Sequence, residues 1–333
     1  SPGGRRKSMT LWKTMISGGI LGIGKIMTKR TCLLLVFGLT IFFKPVSLAA
    51  SEIILNSEDQ FNFALESMKK KDYLRAVVEF ERFVHFFPKD DKVPRARLLI
   101  GVCYLKARDF ESARKKLQAV HDKYAGTLTG GKALFWIGES YFRQKAPVEA
   151  ERYFIMVIQD YPEPELKNAA VYRLGWSRMQ SSRWQEASET FNRVSPQSPL
   201  FDNSRRLATM SLEGETLPYK DPTTAGLMAA VLPGLGHAYC ERYRDGLVAF
   251  LLNGLFIWAA FEAFDEDQDV LGGILLFVEA GWYTGNIYSA VNCAHKHNRH
   301  VKNEYLRMLP DTLDLNLLTT GKGRYGLALK VDF

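Results

Sequence analysis

Along residues 61–194 the order of small, bulky and polar positions returns four times at a fixed spacing of 37 residues. Small residues stand at Ala64, Gly101, Gly138 and Gly175, and twelve positions later an alanine follows each: Ala76, Ala113, Ala150 and Ala187. Four and seven residues beyond each alanine come Phe80 and Phe83, Leu117 and Val120, Phe154 and Val157, and Phe191 and Val194. Positions three and four apart share one face of a helix, and a small residue is needed where two helix backbones touch. The pattern therefore predicts two antiparallel helices per repeat and an all-α solenoid over 51–200. Residues 201–212 read as a capping helix with Asp202 or Asn203 at its start, and 214–222, with Pro218 and Pro222, as a linker.

Beyond the linker the patterning changes from amphipathic to continuously apolar. Residues 246–264 carry no charge before Glu262, and 270–290 are interrupted by Glu279 alone. Each stretch is long enough to cross a hydrocarbon core of about 30 Å. The acidic linker 265–269 between them predicts a tight hairpin. A third apolar segment, 223–239, contains Pro233-Gly234-Leu235-Gly236. Together these make a membrane module over 223–300. In the tail, 301–333, apolar residues alternate at Leu313, Leu315 and Leu317 and again from Tyr325 to Phe333, around a Gly-containing turn, which predicts a short β-hairpin.

At the other end, residues 1–26 read as an upstream leader and 27–50 as a secretory signal: Lys29 and Arg30, an apolar run, then Ser47-Leu48-Ala49. This reading changes the meaning of the charge. The full chain has a net charge of +8, but residues 1–50 hold eight Lys/Arg and no Asp/Glu, so their removal leaves 36 basic residues against 36 acidic ones. The basic balance thus reports an export signal, and nucleic acid is not an expected partner. Four cysteines do not make a disulfide-built domain.

The repeat resembles the tetratricopeptide family, on Tyr104 and Tyr141 late in the first helix, Tyr73, Phe110 and Trp184 at the turn, and Pro88 and Pro162 closing two repeats. Pro147 and Arg178 depart from that pattern, and the family's usual period is nearer 34. The resemblance implies a concave groove that takes a protein or peptide and is lined by Arg95, Leu98, Lys132, Phe135, Glu139, Phe142, Tyr172 and Trp176. The order Pro-Gly-x-Gly-x-x-Tyr at 233–239 is similar to small bacterial inner-membrane modules of no agreed chemistry.

Basic residues Arg242, Arg244, Lys296, Arg299 and Lys302 flank the spans, which by the positive-inside rule places those ends in the cytoplasm. An exported repeat array then requires segment 223–239 to cross as well. Candidate chemistry is sparse. Asn253, Glu262 and Glu279 are intramembrane polar residues, with a Glu279–Asn253 hydrogen bond expected to glue the hairpin. Gly281 and Gly285 offer a small-xxx-small face for close packing within the chain or between copies. His237, Cys240, Cys293, His295 and His297 gather near one membrane edge, but their spacing matches no strong zinc pattern, and neither metal nor cofactor is expected. No phosphate loop, Ser/His/Asp set or catalytic carboxylate pair stands out, so an enzyme is not expected. The sequence reading is a non-catalytic scaffold in the bacterial inner membrane with its repeats in the periplasm. The competing reading is a small transporter or membrane enzyme working through Glu279, with the repeats regulatory.

Overall fold

A computed structural model describes residues 56–309, 311, 314–316 and 328–330. The leader and the secretory signal lie outside the described residues. The described residues belong to one compact unit. Its first part is a run of four helical hairpins: α1 (Ser57–Lys69) with α2 (Tyr73–Phe86), α3 (Val93–Lys106) with α4 (Phe110–Lys123), α5 (Leu128–Arg143) with α6 (Pro147–Asp160), and α7 (Pro164–Gln180) with α8 (Trp184–Phe191). Each glycine of the sequence repeat meets the bulky residue four beyond its alanine. A methyl group added at Gly101 would reach 2.6 Å from Leu117, at Gly138 2.8 Å from Phe154, and at Gly175 2.7 Å from Phe191. Ala64 and Phe80 are both fully buried in the corresponding first repeat.

The turns repeat as faithfully as the contacts. Lys71, Arg108, Lys145 and Ser182 all have φ near +60°, each ending the first helix of its hairpin. A left-handed residue there reverses the chain and satisfies the last carbonyls of the helix. Asp72 and Asp109 then cap the second helices of the first two repeats, accepting from the backbone N–H of Arg75 and Ser112.

Because the glycine and its aromatic partner already touch, Gly138→Ala should destabilise the array. Overpacking of a filled core costs about 1–3 kcal/mol, offset by roughly 1 kcal/mol of better helix propensity. A net loss of up to about 2 kcal/mol in urea unfolding is expected. Gly281→Ala, with nothing within 4 Å of the new methyl, should show none of it.

The capping helix α9 (Phe201–Glu213) closes the solenoid, packing Leu207 and Ala208 into its core. The linker leads to α10 (Pro222–Val231), α11 (Leu235–Tyr239), α12 (Tyr243–Asp265) and α13 (Asp269–Met308). The Pro-Gly-x-Gly signature is a packing device. Gly234 has φ +87° and lies so close to the carbonyl of Gly246 that no Cβ fits, while Gly236 is wedged against the Ala225 carbonyl and the Ala290 side chain.

Segment 223–239 is broken into two short helices. At 1.5 Å per residue its ten-residue helix α10 rises about 15 Å, half a hydrocarbon core. The segment turns at Pro233-Gly234 and comes back to its start, where the backbone N–H of Asp221 donates to the Tyr239 hydroxyl (3.1 Å) and Lys220 pairs with Glu241 (3.1 Å). The second apolar helix also extends well past the expected limit of residue 290, running unbroken to Met308. In the tail, Asp314–Asn316 and Ala328–Lys330 pair antiparallel with Leu315 opposite Leu329.

Candidate functional site

The inner face of the array is largely closed. Of the residues expected to line an open groove, Leu98, Phe135, Glu139, Phe142, Tyr172 and Trp176 are buried, whereas Arg95 and Lys132 are only half-buried. Phe135 packs edge-on to Trp136 and against Phe154, and Tyr172 sits on Phe191 with its hydroxyl accepting from Asn203 of the capping helix (2.7 Å). These side chains hold neighbouring helices together. At the half-buried end, the Arg95 guanidinium lies 5.1 Å over the Phe61 ring. Burial and the nearby charge of Arg95 together hold the Lys132 ammonium below its ordinary lysine value.

Phe142 and Trp176 are covered differently, by the chain's own C-terminal helix. The last turns of α13 lie along the fourth repeat and α9, leaving a cleft of about 490 Å³ between Phe142, Trp176, Arg299, Lys302, Leu306 and Asp311. Lys302 Nζ donates to the Gln180 carbonyl (2.9 Å), the Tyr305 ring meets Trp184 edge-on at 5.9 Å, and the Tyr305 hydroxyl donates to the Met210 carbonyl. Burial, with Glu213 beside it, pushes the Tyr305 hydroxyl up to about 12, so it remains a donor at any physiological pH.

At the end of this contact stands a buried ionic chain. Arg173, 3% exposed, pairs through Nε with Glu139 at 2.8 Å, and its Nη1 donates to both Asp311 oxygens at 3.0 and 2.9 Å. Glu139 also accepts from Arg143 Nε at 2.8 Å, and the Arg173 guanidinium covers the Phe142 ring at 5.0 Å. Nothing in the sequence linked residues 139, 173 and 311, because the contact spans 138 positions.

The helices α12 and α13 present the opposite surface. Both are long and apolar enough to cross a membrane. Trp258, Phe261, Val270 and Phe277 are 61–82% exposed. Inside the pair, Asn253 and Glu279 are buried, but the expected hydrogen bond between them is not made. Asn253 Nδ2 instead donates to the Ala249 carbonyl one turn back, and Asn253 Oδ1 and both Glu279 oxygens have no partner. Glu262 is exposed. The face carrying Gly281 and Gly285 is open, with nothing within 4 Å of an added methyl at either.

The His/Cys cluster divides. Cys240 and Cys293 are buried together against Ala225 and Ala294, and burial pushes the Cys240 thiol up to about 12, which disfavours the thiolate a metal would need. His237 shares a hydrogen bond with Ser289 Oγ (3.0 Å), His297 reaches the Pro218 carbonyl (3.3 Å), and His295 is exposed. Among the described residues no group of three or more His, Cys, Asp or Glu is arranged to hold a metal ion.

No curated protein matches the chain. A crystal structure of a tetratricopeptide repeat protein from Parabacteroides merdae ATCC 43184 is similar over 72% of this chain and 98% of that one, at 10% identity and a TM-score of 0.37. The family model for the tetratricopeptide repeat matches residues 95–127 and 132–164, the segments that form α3–α4 and α5–α6. The second and third hairpins of this solenoid are thus the ones that match the tetratricopeptide repeat.

Proposed function

We propose that the chain is a non-catalytic scaffold of the bacterial inner membrane, in which the repeat array is held beside the bilayer by α12 and α13 and recruits a protein partner in the periplasm. The observation that carries this reading is the continuity of α13. One helix begins in a surface too apolar for water and ends packed on the repeats. Large exposed side chains such as Phe277 and Trp258 over two adjacent helices exceed what a water-facing surface tolerates. A rigid helix through both parts would hold the array at a set height above the membrane.

In this reading both spans cross, so the start of α12 and the stretch around Arg299 lie on the side of the repeats. The secretory signal then carries all of them across. The basic flanks oppose that orientation, but the charge bias weakens when a long folded domain follows an export signal. The partner's contact is placed at the half-buried end of the inner face, around Arg95 and Lys132, and it takes a peptide segment carrying acidic side chains. A photo-crosslinking residue at Lys132 should trap the partner in intact cells. The charge reversal Arg95→Glu with Lys132→Glu should weaken its capture about tenfold or more, the scale of a lost desolvated charge contact. Unchanged capture would remove this surface from consideration.

The reading as a transporter or membrane enzyme draws on the unpartnered Glu279 and Asn253 inside the pair of spans. Loss of function in cells with Glu279→Gln, together with normal function of the Arg95/Lys132 reversal, would favour it over the scaffold.

A further inference from the structure

Between α11, α12 and α13 lies a cleft of about 510 Å³ whose wall changes character along its length. At the end nearer the repeats it is lined by His237, Asp245, Asn286 and Ser289. At the other end it is lined by Leu252, Gly281 and Trp282, with Val248 between. From Ser289 to Gly281 the cleft runs about 12 Å along α13 at 1.5 Å per residue. Its size falls within the roughly 300–1,000 Å³ of ordinary small-molecule sites.

The cleft exists because α13 carries glycine where larger side chains would fill it. Gly281 and Gly285 have nothing within 4 Å of an added methyl. A row of glycines alone would mark only a place for another helix. The polar end argues otherwise. His237 is 5% exposed and Asn286 is 7% exposed, yet His237 Nδ1 and Asn286 Nδ2 have no hydrogen-bond partner. A buried amide N–H without an acceptor costs about 1–3 kcal/mol, and native structures keep few of them. The remaining polar groups do not meet this need. Ser289 is engaged by the other nitrogen of His237, and Asp245 is paired with Arg242. What is missing is an acceptor of carbonyl type placed between His237 and Asn286, joined to an apolar chain that fills the glycine-lined end.

We infer that this cleft binds one acyl chain of a membrane amphiphile, with the acyl carbonyl oxygen accepting from Asn286 and the chain lying over Gly285 and Gly281 toward Trp282. This rests on the reading of α12 and α13 as spans. The carbonyl belongs either to the carboxyl group of a free fatty acid or to the ester of a phospholipid, and both present the same acceptor on the same apolar stem. A second copy's helix would satisfy the glycines but would bring no free acceptor, because its own carbonyls are engaged in its helix.

The test uses the full chain reconstituted in lipid nanodiscs. One set receives palmitic acid with a diazirine in the carboxyl-proximal half of the chain, level with Gly281 and Trp282 when the carbonyl is at Asn286, another a phosphatidylglycerol with the same diazirine-bearing chain. After irradiation, adducts are mapped by mass spectrometry. Adducts concentrated on Leu252 and Trp282 are expected, against few on the outward-facing Phe261 and Phe277. Gly285→Leu, which places a side chain in the open cleft, should abolish the concentrated labelling. Asn286→Ala with His237→Ala should reduce it about tenfold, the effect of one lost hydrogen bond to the ligand. Competition by unlabelled palmitate alone would assign the source as a free fatty acid, and competition by unlabelled phosphatidylglycerol alone would assign it as a phospholipid. Even labelling of all four residues, unaltered by the variants, would overturn the inference. So would copy-to-copy crosslinking between cysteines introduced at Gly281 or Gly285, with no lipid adduct in the cleft. Alkaline carbonate extraction of the native membrane separates the failures. Release of the chain would defeat the membrane reading itself, whereas retention without cleft labelling would defeat the acyl site alone.

Discussion

Arg173→Met is expected to lower the midpoint of thermal unfolding of the repeat array by about 6–12 °C, the equivalent of roughly 3 kcal/mol for a unit of this size. The reason lies in what the substitution leaves behind. Glu139 is 1% exposed and sits 2.8 Å from Arg173 Nε, so removing the guanidinium strands a carboxylate in the interior. Breaking a buried pair from one side costs about 3–5 kcal/mol, and the surviving contact from Arg143 to Glu139 keeps the expected loss at the lower limit. The double change Arg173→Met with Glu139→Leu removes both charges and should recover at least half of the loss. Asp311→Asn should cost under about 1 kcal/mol, because that carboxylate is 41% exposed and water replaces its partner cheaply. Unfolding followed by the fluorescence of the array's buried tryptophans, Trp136, Trp176 and Trp184, reads all three variants. Equal shifts for Arg173→Met and Asp311→Asn would mean that the contact with the tail, and not the desolvated pair with Glu139, sets the stability.

The second large effect concerns topology and is all-or-none. Single cysteines introduced at Glu111 in the array, at Asp267 between the spans and at Arg299 on α13 all occupy exposed positions, whereas Cys103, Cys240 and Cys293 are buried. With a membrane-impermeant thiol reagent on spheroplasts, labelling is expected at 111 and 299 together and not at 267. The sequence reading placed 299 on the opposite side from the repeats. The ties that bring it back are Asn298 to the backbone of Lys220 in both directions (2.7 and 2.8 Å) and the packing of α13 on the fourth repeat. Labelling at 111 and 267 but not at 299 would require those ties to break in the membrane. Labelling at 267 alone would place the repeats in the cytoplasm and refute export.

Much of this protein is local in origin, and that part was legible. The hairpins follow from a periodic match of glycine to a bulky residue sixteen positions on, as Gly138 meets Phe154, and such a match needs no information from outside the repeat. The two long apolar helices were likewise read from runs within a few tens of residues. The expected groove failed for a non-local reason. Whether Phe142 or Trp176 faces a partner or a neighbour depends on what else the chain brings to that face, and the chain brings residues 299–311. A large aromatic exposed on a concave face and the same aromatic buried under a later helix have identical local patterns, since both stand at one helical spacing. Lys302 was read as a membrane-edge charge, but its ammonium is committed to the Gln180 carbonyl of the fourth repeat.

The sequence by itself determined the four hairpins, their contacts and the two apolar helices, because each arises from a hydrophobic period that a short segment carries whole. Only the tertiary structure decided that segment 223–239 turns back, that α13 closes part of the repeat face, and that Glu139, Arg173 and Asp311 form one ionic chain. Those outcomes depend on which distant surfaces bury each other most favourably, a comparison of whole packings to which no local period points.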